Sequence, residues 1–258
     1  MVEEATAALE NRTSHYMFIS SIAVYRDFQT VGLSESSPTV STQIPKEKWS
    51  YAEEKCAAED IVRSRFDNRH TILRPGAIKG WRDTALDLFY WCHQVITEKV
   101  VLCPGSGKDP IQFIDVKDVA RFAIKAAEDN LKGTFNCLGP KEDAYLWSDF
   151  LNELRQITNS EAKLCWAQES FLARQKVYSF SDMPLWAPLS EDEGFMQISN
   201  QKMRDTGFVH SSIQNTIEDV VNWTQKNGFT PQDFGTEEIG IGLSKDRQRK
   251  LLNMLDCS

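Results

Sequence analysis

The sequence predicts an α/β fold: a parallel sheet with helices on both faces, followed by a smaller, mixed lobe. Three observations carry this reading. Over the first 140 residues, short apolar β-rich runs alternate with segments of helical pattern. That is how β–α units look when their strands are buried on both sides. From about residue 141 the alternation gives way to amphipathic helices and an irregular aromatic-rich stretch. The chain has 258 residues, 41% hydrophobic and 26% charged, enough for one large domain or two unequal lobes.

The elements follow in order. Residues 2–12 form a helix, with Val2, Ala5, Ala8 and Leu9 roughly on one face. YMFISSIAVY, 16–25, is a buried strand that ends in small polar residues. Residues 26–47 hold Gly32, Pro38 and Pro45 among serines and threonines, and read as a long loop. YAEEKCAAEDIVRSRF, 51–66, has strong helix formers and a buried face. HTILRPGAI, 70–78, is a second buried strand stopped by Pro75-Gly76. A helix over 85–99, a strand and turn over 100–108, an extended stretch running into a helix over 111–129, and a strand over 133–140 complete the first part. The second part has helices at 145–157 and 212–227, the latter with Ile213, Ile217, Val220, Val221 and Trp223 as apolar positions, and an extended run at 162–168.

Composition excludes several functions. A net charge of −8 repels polyphosphate, so general nucleic-acid binding is not expected. The six cysteines at 56, 92, 103, 137, 165 and 257 form no CxxC, and their spacing suggests neither a zinc site nor a disulfide framework. A reducing compartment, the cytoplasm, is expected. The four histidines are scattered, with no ligand spacing. No apolar run of membrane-spanning length occurs, and the acidic N-terminus does not read as a targeting peptide.

Tyr51 and Lys55 stand four residues apart on a predicted helix, so both side chains project from one face. An ammonium beside a phenol favours the phenolate, and such a tyrosine can exchange a proton with a substrate hydroxyl. The bare spacing fits a surface tyrosine beside a solvated lysine better. Its surroundings change the balance. FISSIAVY ends a predicted strand with Ser20 and Ser21, and LRPGAIKG closes the strand after the Tyr-bearing helix. Right-handed crossovers bring these strand ends to one edge, where ligands bind in such sheets.

In FISSIAVY (18–25), YAEEKCAAE (51–59), ILRPGAIKG (72–80), FIDVKDVARFAI (113–124) and GTFNCLGP (133–140), the sequence resembles the extended short-chain dehydrogenase/reductase family of NAD-dependent epimerase/dehydratase type. The resemblance implies an incomplete Rossmann-like, doubly wound parallel sheet with a smaller C-terminal substrate-type lobe. Residues 1–140 would be the C-terminal part of an NAD(P)-binding domain, and 141–258 a mixed α/β substrate-type lobe with C-terminal helices. It implies an NAD(P)-dependent oxidoreductase or epimerase that transfers hydride at a secondary alcohol or ketone carbon, with NAD or NADP as cofactor. Ser21 would hydrogen-bond the reacting oxygen and Tyr51 would be the general acid/base. Lys55 would hold the nicotinamide ribose and lower the tyrosine pKa. Pro75, Gly76 and Ile78 would line the cofactor side, Gly76 equally a simple strand-ending turn. Asp115 and Asp118 would tie a helix N-terminus to its preceding loop. In the C-terminal part, Asp182, Trp186 and Phe180 are core or lid residues by default, and candidates for substrate contact.

No G-x-G-x-x-G or G-x-x-G-x-x-G occurs, and the nearest glycine cluster, PGSGKDP, has the wrong context. The family begins with such a turn, which implies that roughly 80–100 residues of β–α units are absent, a truncated form. A sheet without its first strands exposes an edge, so a homo-oligomer or a partner chain is expected to cover it. Two other readings compete with the enzyme. One is a non-catalytic scaffold or subunit without cofactor, favoured by the missing glycines. The other is an RNA-associated member, disfavoured by the charge.

Overall fold

The computed structural model describes residues 1–139, 145–227, 234–237 and 239–257. Its first half follows the predicted alternation: α1 (Val2–Leu9), β1 (Tyr16–Ile19), α2 (Tyr51–Phe66), β2 (His70–Pro75), β3 (Ile78–Lys79), α3 (Asp87–Thr97), β4 (Val100–Pro104), β5 (Ile114–Asp115), α4 (Val116–Glu128) and β6 (Gly133–Cys137). Then come α5 (Trp147–Thr158), β7 (Lys163–Ala167), α6 (Glu169–Arg174), α7 (Leu189–Asp192), α8 (Gln201–Asp205), α9 (Ile213–Asn227) and α10 (Lys245–Met254).

Among the described residues the strands pair in parallel in three sheets: β1–β2–β6, β3–β5 and β4–β7. The central β2 is buried along nearly its whole length and pairs Tyr16 with His70 on one side and Thr71 with Gly133 on the other. β1 is shorter than the 16–25 run predicts. It stops at Ile19 because Ser21 turns the chain: its Oγ accepts the Ala23 N–H at 3.1 Å and caps a 3-10 turn over Ile22–Val24. α2 begins at Tyr51 because Ser50 and Glu53 form a capping box, with the Glu53 carboxylate accepting the Ser50 N–H at 2.8 Å.

The larger core does not divide at residue 140. Leu88, Tyr90, Trp91, Val101 and Leu102 pack with Trp147, Phe150, Leu151, Ile217 and Val220 in one buried cluster. The reason is that α3 is apolar nearly all round and β4 pairs with β7. Trp91 and Trp147 meet edge to face at 4.9 Å, an arrangement that adds about 0.5–1.5 kcal/mol beyond area burial. The cysteine expectation is corrected in one place. Cys165 on β7 is disulfide-bonded to Cys257, with Cα atoms 6.2 Å apart, so the C-terminus is tied to the β4–β7 pair. A pairing across 92 residues leaves no local spacing signal. The other four cysteines are free and buried.

Asp115 and Asp118 hold α4. Asp115 accepts the Lys117 N–H at 2.7 Å and the Thr216 hydroxyl at 2.8 Å, and Asp118 accepts both the N–H and the hydroxyl of Ser211 at 2.8 Å. They therefore fasten α9 and the residues before it to the sheet. Asp115→Ala is expected to cost about 1–2 kcal/mol through the lost cap alone, read as a lower urea midpoint. Unchanged stability would mean that the cap and the Thr216 bond contribute nothing.

Candidate active site

The end of β1, the first turn of α2 and the end of β2 meet. Lys55 makes the first link: its Nζ donates to the Ile19 carbonyl at 2.9 Å and lies 5.1 Å from the Phe18 ring and 5.6 Å from the Tyr51 ring. Tyr51 and Lys55 thus stand on one face of α2, and Ser21 follows Ile19, the partner of Lys55, by two residues. Tyr51 is 57% exposed, and no hydrogen bond among the described residues engages its hydroxyl. Ser21 accepts from Ala23, so its own O–H is left to donate.

Gly76 makes the second link. A Cβ there would lie 2.2 Å from Leu138 Cδ2 and 3.6 Å from Ile22 Cδ1. The missing side chain is what lets Ile22, next to Ser21, pack against the end of β2 and the residue after β6. Pro75 is buried in register with Cys137, and the Gly76 N–H donates to the Cys137 carbonyl at 3.1 Å. Ile78 faces elsewhere, onto a cleft of about 590 Å³ with Lys79, Trp81, Val116 and Ala120.

Beneath the Tyr–Lys turn lies a buried polar network that sequence reasoning missed. Glu59, one turn after Lys55, and Arg74 on β2 are 0% and 2% exposed and bonded twice, Nε to Oε1 at 2.9 Å and Nη2 to Oε2 at 2.7 Å. Arg63 adds a third bond to Glu59 at 2.6 Å. Burial pushes the Glu59 carboxyl up, but the hydrogen bonds and charge of Arg74 outweigh it and hold the group below the ordinary carboxylate range. The Arg74 guanidinium also lies 5.1 Å from the ring of Tyr25, whose hydroxyl donates to Asn136 Oδ1 at 2.6 Å. Burial raises the Tyr25 phenol above its usual value. Asn136 in turn donates its N–H to Glu35 Oε1 at 2.8 Å. The network joins α2, β2, β6 and the loop after Ser21. A glutamate one turn after the lysine and an arginine before Pro-Gly were its only signals.

The C-terminal candidates sit differently. Trp186 is 2% exposed, and its Nε1 donates to Asp109 Oδ2 at 2.9 Å. That makes it a wall of the large core rather than a surface a substrate meets. Asp109 also fills the PGSGKDP turn: a Cβ on Gly105 would lie 2.0 Å from Asp109 Oδ2. The turn closes on its own carboxylate and leaves no hollow for a phosphate. Asp182 accepts the Tyr178 N–H at 2.8 Å and closes a turn that presents Phe180. No helix among the described residues is long and apolar enough to cross a membrane.

The model of the NAD dependent epimerase/dehydratase family matches residues 2–137. No curated protein matches the chain. Among solved structures, the chain is similar to UDP-glucuronic acid 4-epimerase from Bacillus cereus in complex with NAD, with 16% identity and a TM-score of 0.61 over 88% of this chain and 66% of that one. It is similar to UDP-N-acetylglucosamine 4-epimerase from Methanobrevibacter ruminantium M1, with 17% identity and a TM-score of 0.61 over 88% and 68%. It is also similar to dTDP-4-dehydrorhamnose reductase from Bacillus anthracis in complex with NADP, with 16% identity and a TM-score of 0.58 over 86% and 70%. The chain therefore spans 66–70% of the length of these structures. At such identities the likeness is one of fold.

Proposed function

Because the chain belongs to the NAD dependent epimerase/dehydratase family, we propose that it serves NAD(P)-dependent hydride transfer at a secondary alcohol or ketone carbon. What supports this is that Lys55 lies beside the Tyr51 ring on α2 and bonds the carbonyl of Ile19, two residues before Ser21 at the end of β1. When bound, the nicotinamide supplies or accepts the hydride. Ser21 donates a hydrogen bond to the substrate oxygen, and Tyr51 passes a proton to or from it. Lys55 spends one N–H on Ile19, which leaves two for ribose hydroxyls. Pro75 and Gly76 form the wall on the cofactor side.

The nicotinamide half of the cofactor is thus fitted by the residues present, whereas its diphosphate finds no glycine-rich turn in the 258 residues. That absence favours a second reading, a scaffold or subunit without cofactor. Incubation with NAD⁺ or NADP⁺ and a panel of secondary alcohols separates the two, followed by the absorbance of reduced nicotinamide. Turnover that depends on Ser21 and Tyr51 supports the enzyme; saturating cofactor with no such turnover supports the scaffold.

β1 pairs with β2 on one side only among the described residues, and Ile19 at its end is 41% exposed. We expect this edge to be covered by a second copy or a partner strand. Light scattering should show self-association of the pure chain or capture of a partner. A strict monomer at high concentration, with no dye-binding apolar surface, would count against it.

A further inference from the structure

We propose that the cleft between the turn at 80–84 and the start of α4 binds a small planar aromatic carboxylate, held by Arg82. The cleft includes none of Ser21, Tyr51 and Lys55, so the inference stands whether or not the chain transfers hydride.

The first observation is the cleft itself. Its volume of about 590 Å³ is that of a small-molecule site. β3 contributes Ile78 and Lys79 to its lining, and α4 contributes Val116, Lys117 and Ala120. The register of Ile78 with Ile114 sets these two walls side by side, because α4 follows β5 directly. Trp81 and Val116 are 39% and 44% exposed, large apolar side chains left in water at a concave surface. A Cβ on Gly80 would lie 2.8 Å from Val116 Cγ1, so the turn rests on α4 itself.

The second observation is that the turn is fixed. The Asp83 N–H donates to the Gly80 carbonyl at 3.2 Å. Asp83 Oδ1 accepts the Ala85 N–H at 2.9 Å, and its Oδ2 accepts from the buried Lys79 ammonium at 2.8 Å. Within this frame Arg82 is held at a φ of +118°, a conformation that residues with a Cβ rarely adopt. Its surroundings place it there against local preference, and such departures cluster at binding sites.

The third observation is charge. Lys79 donates to Asp83 and Asp87. Burial raises the Asp87 carboxyl above its usual range, which eases two carboxylates sharing one ammonium. Lys117 donates to Asp219. At the base of α4, Asp115 is taken by the Lys117 N–H and the Thr216 hydroxyl, and Asp118 by Arg121 and Ser211. Arg82 differs from the other charged side chains of the lining. It makes no ion pair or hydrogen bond among the described residues, and its guanidinium lies over the Trp81 ring, 5.6 Å from the centroid. A guanidinium over an indole keeps its N–H edge free, and that edge fits a carboxylate through two parallel bonds. One unpaired cation suits a single negative charge, not a polyphosphate. The exposed indole, with Ile78, Val116 and Ala120, suits a flat apolar body. An aryl monocarboxylate answers both.

Ligand-observed NMR titration of the full chain tests this with naphthoate and, separately, with its uncharged counterpart naphthylmethanol. Naphthoate should bind saturably, and the alcohol roughly tenfold more weakly. Arg82→Gln should weaken naphthoate roughly tenfold and leave the alcohol unchanged, because it removes the charge alone. Ala120→Phe should block both ligands by filling the cleft. Both positions are exposed, so both variants keep the fold. Naphthoate that fails to saturate, acid and alcohol that bind equally, or either variant binding naphthoate like wild type would overturn the proposal.

Discussion

Tyr51→Phe is expected to lower turnover by about 10²–10⁴-fold, the usual cost of losing a positioned acid/base. Stability and cofactor affinity should stay nearly unchanged. The ring is 57% exposed, so removing its oxygen creates no buried gap. The start of α2 rests on Ser50 and Glu53, which the change leaves alone. Lys55 keeps its bond to Ile19, so the group that would hold the ribose stays in place. Lys55→Ala should behave differently and weaken cofactor binding directly. Ser21→Ala should lower turnover by removing a donor whose bond strengthens as charge develops on the substrate oxygen. The measurement is kcat and KM from reduced-nicotinamide absorbance. If the protein is active and Tyr51→Phe turns over like wild type, the pair is ordinary helix decoration.

Arg74→Ala is expected to cost about 3–5 kcal/mol, because it leaves the Glu59 carboxylate buried with two of its three hydrogen bonds gone. Removing both charges together, in Glu59→Leu with Arg74→Met, should cost far less, since the buried pair pays its own desolvation. The two variants also separate in their response to acid. The folded-state pKa of Glu59 lies below its unfolded value. Its contribution is therefore present above the ordinary carboxylate range and is lost as pH falls through the folded value. Wild type should lose stability along that limb, and the double variant should lose less. Urea melts at stepped pH give both numbers. A loss under about 1 kcal/mol for Arg74→Ala would show that water reaches Glu59 and screens it.

What could be read from the sequence and what could not divides along range. α2 was legible because its signals are local: the alanines and glutamates of 51–66 are strong helix formers, and Tyr51 and Lys55 stand one turn apart. The parallel sheet was legible because runs buried on both faces lose their alternation. The early end of β1 was not, since a serine at a strand end and one that caps a turn look alike until the Ala23 bond is seen. Trp186 was ambiguous because an indole amid prolines fits a lid or a core equally well. Its bond to Asp109 crosses 77 residues. The Glu59–Arg74 pair, the Cys165–Cys257 bond and the joining of β4 to β7 are likewise long-range, and no local pattern announces them.

The parallel pairing has a kinetic consequence. Tyr16 lines up with His70, Thr71 with Gly133, and Val100 with Lys163. Among the described residues no two sheet strands are joined by a hairpin, so none of these sheet hydrogen bonds forms until a long loop has closed. Ordering must start in the helices and wait for these distant registers, which makes a slow folder. During that wait the apolar strands have no partners within their own chain. Refolding yield should therefore fall as protein concentration rises, with strands of different molecules competing for the same vacant edges.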